Sequence, residues 1–286
     1  MKRAFFSLAV GASLAACGGT PPFGVEPGAD ESVNSTYLTE ANAFMTLNNI
    51  SYDPATDTLN LNNIPFDDPN NNYERITTEN FSNGFDAYTS APARDSNEIE
   101  YFAIFRRSDS GQSQVAAAGT DGYIDFGFGG AGAQRLGAKP TLPTSGVYSY
   151  TGEYAAVRTT RPNTPTATNP DRTEFVTGTA NLAADFGDFD NVGAVGGTIT
   201  NRTVYDTSGN PIGALDGFIS LANAEIDFEN AVIGNSTAVE INGAGNQVGS
   251  GTWNGVFAGP GGNEIAGVLF IEGSEVQETG GFVVTQ

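Results

Sequence analysis

Gly255-Val256-Phe257-Ala258-Gly259-Pro260-Gly261-Gly262-Asn263-Glu264-Ile265-Ala266-Gly267-Val268-Leu269-Phe270 reads as a strand, a tight turn and a returning strand. Pro260-Gly261 suits a type II turn, because Pro presets φ at the first central position and Gly accepts the positive φ at the second. Gly262 and Asn263 suit further residues of positive φ. Strand alternation puts Trp253, Gly255 and Phe257 on one side, and Ile265, Gly267, Leu269 and Ile271 on one face of the returning strand. Phe257 and Leu269 are therefore expected inside as neighbours, and Asn254 outside and exposed.

The same period of two runs upstream. Tyr148, Tyr150, Gly152 and Tyr154 alternate with Ser149, Thr151 and Glu153 in 147–155. Val176, Gly178, Ala180, Leu182, Ala184 and Phe186 share a face in 174–186, and Ile199 and Tyr205 share one in 197–205. Shorter runs lie at 215–221, 225–232, 237–241, 252–258, 264–271 and 281–285. Eight or nine strands at this spacing predict an all-β unit over residues 141–286, an antiparallel sandwich or a small closed barrel. Expected strands of six to nine residues are short for a tilted membrane span, and one face is apolar enough to be a packed interior.

Residues 37–140 read as a smaller N-terminal β domain. Apolar runs such as Ile99-Glu100-Tyr101-Phe102-Ala103-Ile104-Phe105 are split by breakers such as Asp67-Asp68-Pro69-Asn70-Asn71-Asn72. Residues 37–48 suggest one or two helical turns. The Gly/Ala/Pro-rich stretch 129–143 is expected to be the linker between the domains.

The 286 residues carry 12 Lys+Arg against 33 Asp+Glu, a net charge of −21, with no His and one Cys. Nucleic acid and anionic lipid surfaces would repel such a chain. The absence of His excludes Ser-His-Asp and Cys-His catalysis and His-based metal sites. A single Cys excludes an intrachain disulfide and multi-thiolate metal sites. Residues 1–16 have a basic start, Lys2-Arg3, and an apolar run from Ala4 to Ala16, the pattern of a signal peptide. Leu14-Ala15-Ala16-Cys17 resembles the lipobox of bacterial lipoproteins. That resemblance implies lipidation at Cys17, a flexible tether over 17–36, and a membrane contact made only through the lipid anchor. With Gly18 next to the Cys, it implies an outer-membrane location.

Several patterns could carry chemistry. Residues 127–132 match G-x-G-x-x-G, but Gly137 and Pro140 break the helix that a dinucleotide site requires, so a loop is expected. Asp185, Asp188, Asp190 and Asn191 could offer hard oxygen ligands to Ca²⁺, or simply satisfy the backbone of a turn. The Tyr148-Tyr150-Tyr154 stripe could ligate iron, or fill a barrel. No pair among the 33 carboxylates is marked for acid–base work, so no enzyme and no cofactor are expected.

The quoted hairpin resembles the signature G-x-F-x-G-P-x-x-x-E-x-x-G-x-F of the transferrin-binding protein B family, through Gly255, Phe257, Gly259, Pro260, Glu264 and Gly267. Val268 and Leu269 follow Gly267 where an aromatic often closes that signature, with Phe270 next. Residues 142–154 are similar to the family's first barrel strand, and residues 180–186 through 196–199 to its next hairpin. The resemblance covers about half of the chain. It implies a handle domain followed by an eight-stranded barrel, one such lobe where the family's large members have two. It also implies a surface lipoprotein that binds a macromolecular or iron-related ligand, with a TonB-dependent receptor as a candidate partner. A structural or adhesive barrel lipoprotein, or a binder of another host factor, is the alternative. The handle region carries no family motif, so no ligand-contact residue is transferred.

Overall fold

The computed structural model describes residues 36–39, 47, 49–62, 64, 72–90, 99–122, 126, 129–162, 166, 171–187 and 192–286. The expectations for Cys17, Asp188, Asp190 and most of the tether lie outside these residues. Among the described residues no helix is long and apolar enough to cross a membrane.

The N-terminal sheet has eight antiparallel strands. They are β1 (Thr36–Thr39), β2 (Asn49–Asp53), β3 (Thr58–Asn62), β4 (Asn72–Arg75), β5 (Asp86–Thr89), β6 (Phe102–Arg107), β7 (Ser113–Gly119) and β8 (Gly130–Arg135). β2 to β8 form a meander, and β1 pairs with β8 at its edge. Residues 36–39 are thus a strand, while most of 40–48, where the helical turns are expected, lies outside the described residues. The sheet curls until β7 meets β2, where Gln114 Nε2 donates to the Ile50 carbonyl at 3.3 Å. Inside the curl, Ile50, Leu59, Tyr73, Tyr88 and Phe105 form a core.

The second unit comprises β9 (Val147–Thr160), β10 (Arg172–Asp185), β11 (Ala194–Tyr205), β12 (Pro211–Leu215), β13 (Phe218–Asp227), β14 (Val232–Ile241), β15 (Gln247–Ala258), β16 (Glu264–Gly273) and β17 (Val276–Thr285). Eight of these close a ring in the order β9-β10-β11-β13-β14-β15-β16-β17, with β17 paired back to β9. β12 stands outside the ring, paired with the far end of β11. Tyr150, Leu182, Ile199, Trp253, Phe257 and Leu269 pack in the interior. Residues 215–221 divide between β12 and β13, and 228–231 form the turn between β13 and β14 instead of a strand. The ring strands have 10 to 14 residues, longer than expected, so the length argument against a membrane span fails. The apolar, packed interior remains the distinguishing feature.

One face assignment is reversed. Thr177 of β10 pairs with Thr203, but Thr179 pairs with Thr200, so β11 carries one extra residue. Asn201 takes up this bulge at φ 54. The inward period shifts by one: Arg202 and Val204 face the interior, while Tyr205 turns out toward the N-terminal sheet.

That sheet packs on the outside of the barrel. Phe85, Ile104, Val115, Ala131 and Ala133 meet Val157, Phe175, Val256, Val268 and Val283. β8 arises within the stretch expected to be a linker, and the actual connection is 136–146. Small residues on both sides permit close approach: Ala131 and Ala133 of β8 lie in the shared cluster, and at Gly281 of β17 an added Cβ would lie 3.2 Å from the Val115 side chain. Asn254 does point outward, but it lies beside this covered wall. It is buried, with its Nδ2 donating to Asn235 Oδ1 at 2.7 Å, contrary to the expected exposure.

Candidate functional site

The β15–β16 hairpin takes the form its sequence prescribes. Gly261 has φ 67 and ψ 10, and the Gly262 N–H donates to the Gly259 carbonyl at 3.2 Å, which is a type II turn with Pro260 at its first central position. Gly262 also has positive φ, at 73, whereas Asn263 does not, at −73. Phe257 points inward, its ring 5.6 Å from that of Phe186 and 6.4 Å from that of Tyr150. Gly267 is required by space, because a Cβ there would lie 2.2 Å from the Phe282 ring. Direct cross-strand partners are Phe257 with Ile265 and Trp253 with Leu269, so Phe257 and Leu269 share the interior without facing each other.

Glu264 has a different role from the rest of the motif. Its side chain faces the N-terminal sheet and is buried. It accepts hydrogen bonds from Ser110 Oγ at 2.6 Å and Ser113 Oγ at 2.5 Å, on the β6–β7 turn and the start of β7. From the other side, Arg135 Nη1 donates to the Phe257 carbonyl at 2.9 Å. The hairpin is thus a fixed junction between the two sheets.

The tyrosine stripe lines the barrel. Tyr150 Oη donates to the Gly262 carbonyl at 2.8 Å, and Tyr154 Oη to Glu278 Oε1 at 2.6 Å. Toward the other end of the barrel the interior becomes ionic. Arg202 holds Glu240 at 2.7 Å and Glu278 at 2.5 Å, while Arg158 holds Glu240 at 3.1 Å and contacts Glu278 as well. Burial by itself would raise the Glu278 carboxyl, but Arg202 and Arg158 outweigh it and hold the group below its ordinary value. Burial, and then the neighbouring Glu278 charge, push the Tyr154 hydroxyl far up. Two arginines and two carboxylates balance in charge, as buried ions must.

Sequence reading missed this network. Arg158 and Glu278 continue the inward parity of Tyr150, Tyr154 and Phe282, which is a usable signal. Arg202 gave none, because the bulge hides its parity. Asp185 accepts the Gly187 N–H at 3.0 Å, a turn contact. Among the described residues no group of three or more His, Cys, Asp or Glu is placed to hold a metal ion.

No family model and no curated protein matches the chain. Solved structures of transferrin-binding protein B do. A mutant of the Haemophilus parasuis Hp5 protein is similar at 13% identity, with 88% of this chain covered and a TM-score of 0.47. Its double mutant gives 14%, 88% and 0.45. Intact Ap-TbpB, with N and C lobes, gives 13%, 83% and 0.38. This chain spans 45% of the length of each of them.

Proposed function

We propose that the chain is a lipid-anchored outer-membrane protein, held by Cys17, that binds a protein or iron-related ligand without turning it over. One observation carries the reading: the barrel is filled from within by its own aromatic and ionic side chains, so recognition falls to outer surfaces. Those surfaces display Asp109, Asp216, Glu225, Asp227 and Glu229, within a chain of net charge −21. A basic partner is the complement. A TonB-dependent receptor is the partner that the resemblance supplies as a candidate. An iron-related ligand would not use the barrel tyrosines, since the Tyr150 and Tyr154 hydroxyls are committed inside.

The anchor is tested with Cys17→Ser, which is expected to release the protein from membranes. A variant that still pellets with outer membranes after a high-salt wash would refute the anchor. The partner is sought by pull-down with the chain from residue 18, which lacks both the signal run and the lipidated Cys. Its association rate is expected to fall between low and about 0.5 M salt, as screening removes charge steering. A rate indifferent to salt would refute the charge argument, and turnover of a sugar or ester substrate would refute the binding reading.

A further inference from the structure

β14 accompanies β13 only as far as the pair Phe218–Ile241, and then turns away through 242–246, where the Asn242 N–H donates to the Asn246 carbonyl at 2.9 Å. β12 precedes β13 along the same flank of β11. Beyond Ile241, therefore, the lane beside β12 holds no strand among the described residues. Gly217, at φ 97, marks the fork: an added Cβ would lie 2.0 Å from the Ile241 carbonyl oxygen. One edge of β12 bonds to β11, and the backbone groups of its other edge point into the vacant lane.

The chemistry of this edge is unusual for this chain. Pro211, Ile212, Gly213 and Ala214 are all exposed, and no residue of the strand is charged. Ile212 is 60% exposed, and Phe218, at the start of β13, is 37% exposed. Natural edges are commonly blunted by Lys, Pro or a bulge. Here Pro211 and the register shift beside it blunt only the first residue. Carboxylates stand at both ends of the lane, Asp206 before the strand and Asp216 after it. A second copy of the chain would bring another −21 of charge to this surface.

We propose that the open edge of β12 takes up, by strand addition, an extended segment of a basic protein. Alternating apolar side chains of that segment lie beside Ile212 and Phe218, and flanking Lys or Arg residues meet Asp206 and Asp216. This deepens the binding reading and rests on it.

The test uses the chain from residue 18 and a peptide of alternating Val and Thr with two Lys at each end. Binding is expected, with slowed backbone hydrogen exchange in 211–215. A counterpart with Glu at each end should bind at least about tenfold more weakly. Ile212→Lys, at an exposed site, should weaken the Lys-flanked peptide by about tenfold while leaving the melting midpoint unchanged. No binding, protection elsewhere, or equal binding by Ile212→Lys would overturn the proposal. So would concentration-dependent dimers protected at 211–215, since a second copy would then own the edge. If a partner found by pull-down is held equally by Ile212→Lys, the binding reading stands and the edge is excluded from it.

Discussion

Phe257 shows how much one interior side chain carries. It is fully buried between Tyr150 and Phe186, and truncating such a ring costs about 3–5 kcal/mol against a total of about 5–15. Phe257→Ala should lower the urea midpoint sharply. Asn254→Ala removes one hydrogen bond, to Asn235, and should cost about 1 kcal/mol. Equal losses would mean that the inward and outward faces are misassigned. Glu278 sets an acid limit. Its folded-state affinity for protons is lower than in the unfolded chain, so it stabilises above the ordinary carboxylate value of 4.5 and that stability is lost as pH falls below it. Glu79 and Asp86 of the N-terminal sheet have the opposite sign, because burial raises both, so their folded forms gain as pH falls toward 4. Midpoints followed from pH 6 to about pH 3 should show the decline, and Glu278→Gln should flatten it. An unchanged slope in Glu278→Gln would exclude this carboxylate as the cause.

Among the elements, β11 is the one whose geometry a single residue decides. Asn201 occupies the left-handed region, which Asn tolerates and a β-branched residue does not. Asn201→Val should cost about 1–3 kcal/mol and Asn201→Gly far less, measured by urea unfolding. Deleting Asn201 restores strict alternation and turns Arg202 away from Glu240 and Glu278. Breaking a buried ion pair costs about 3–5 kcal/mol, so the deletion should leave little folded protein. A deletion variant as stable as the parent would show that Arg202 does not need the bulge. The hairpin β15–β16 is the contrasting case. Its turn, its positive-φ glycines and its inward Phe257 all follow from local chemistry, and all were legible beforehand.

At the scale of the whole molecule, the two sheets depend on each other. Val157, Phe175, Val256, Val268 and Val283 on the barrel's outer wall are covered by the N-terminal sheet, and Glu264 joins the two through Ser110 and Ser113. A chain of residues 141–286 retains every strand of the ring, so it should keep a strand-type circular dichroism spectrum. It also bares that wall, and contiguous exposed apolar surface drives association. Sedimentation should therefore show the fragment self-associating where the full-length soluble chain does not. A monomeric, cooperatively unfolding fragment would mean that the covered wall contributes little to either unit.

What the sequence determined by itself is what depends on near neighbours: the period of two, the turn at Pro260-Gly261, the tyrosine stripe, and hence an all-β barrel behind a smaller β domain. Each reflects backbone sterics or the side-chain alternation of one strand, and needs no knowledge of what lies across it. The tertiary structure decided what depends on contacts distant in the chain. It made residues 130–135 a strand, because β7 and β1, distant in the chain, pair with them on either side. It buried Asn254, because a second domain covers that wall. It gathered Arg158, Arg202, Glu240 and Glu278 from four strands, because only a closed ring brings those strand ends together. And it left β12 with an edge that no strand among the described residues occupies, because that depends on where another strand, β14, stops.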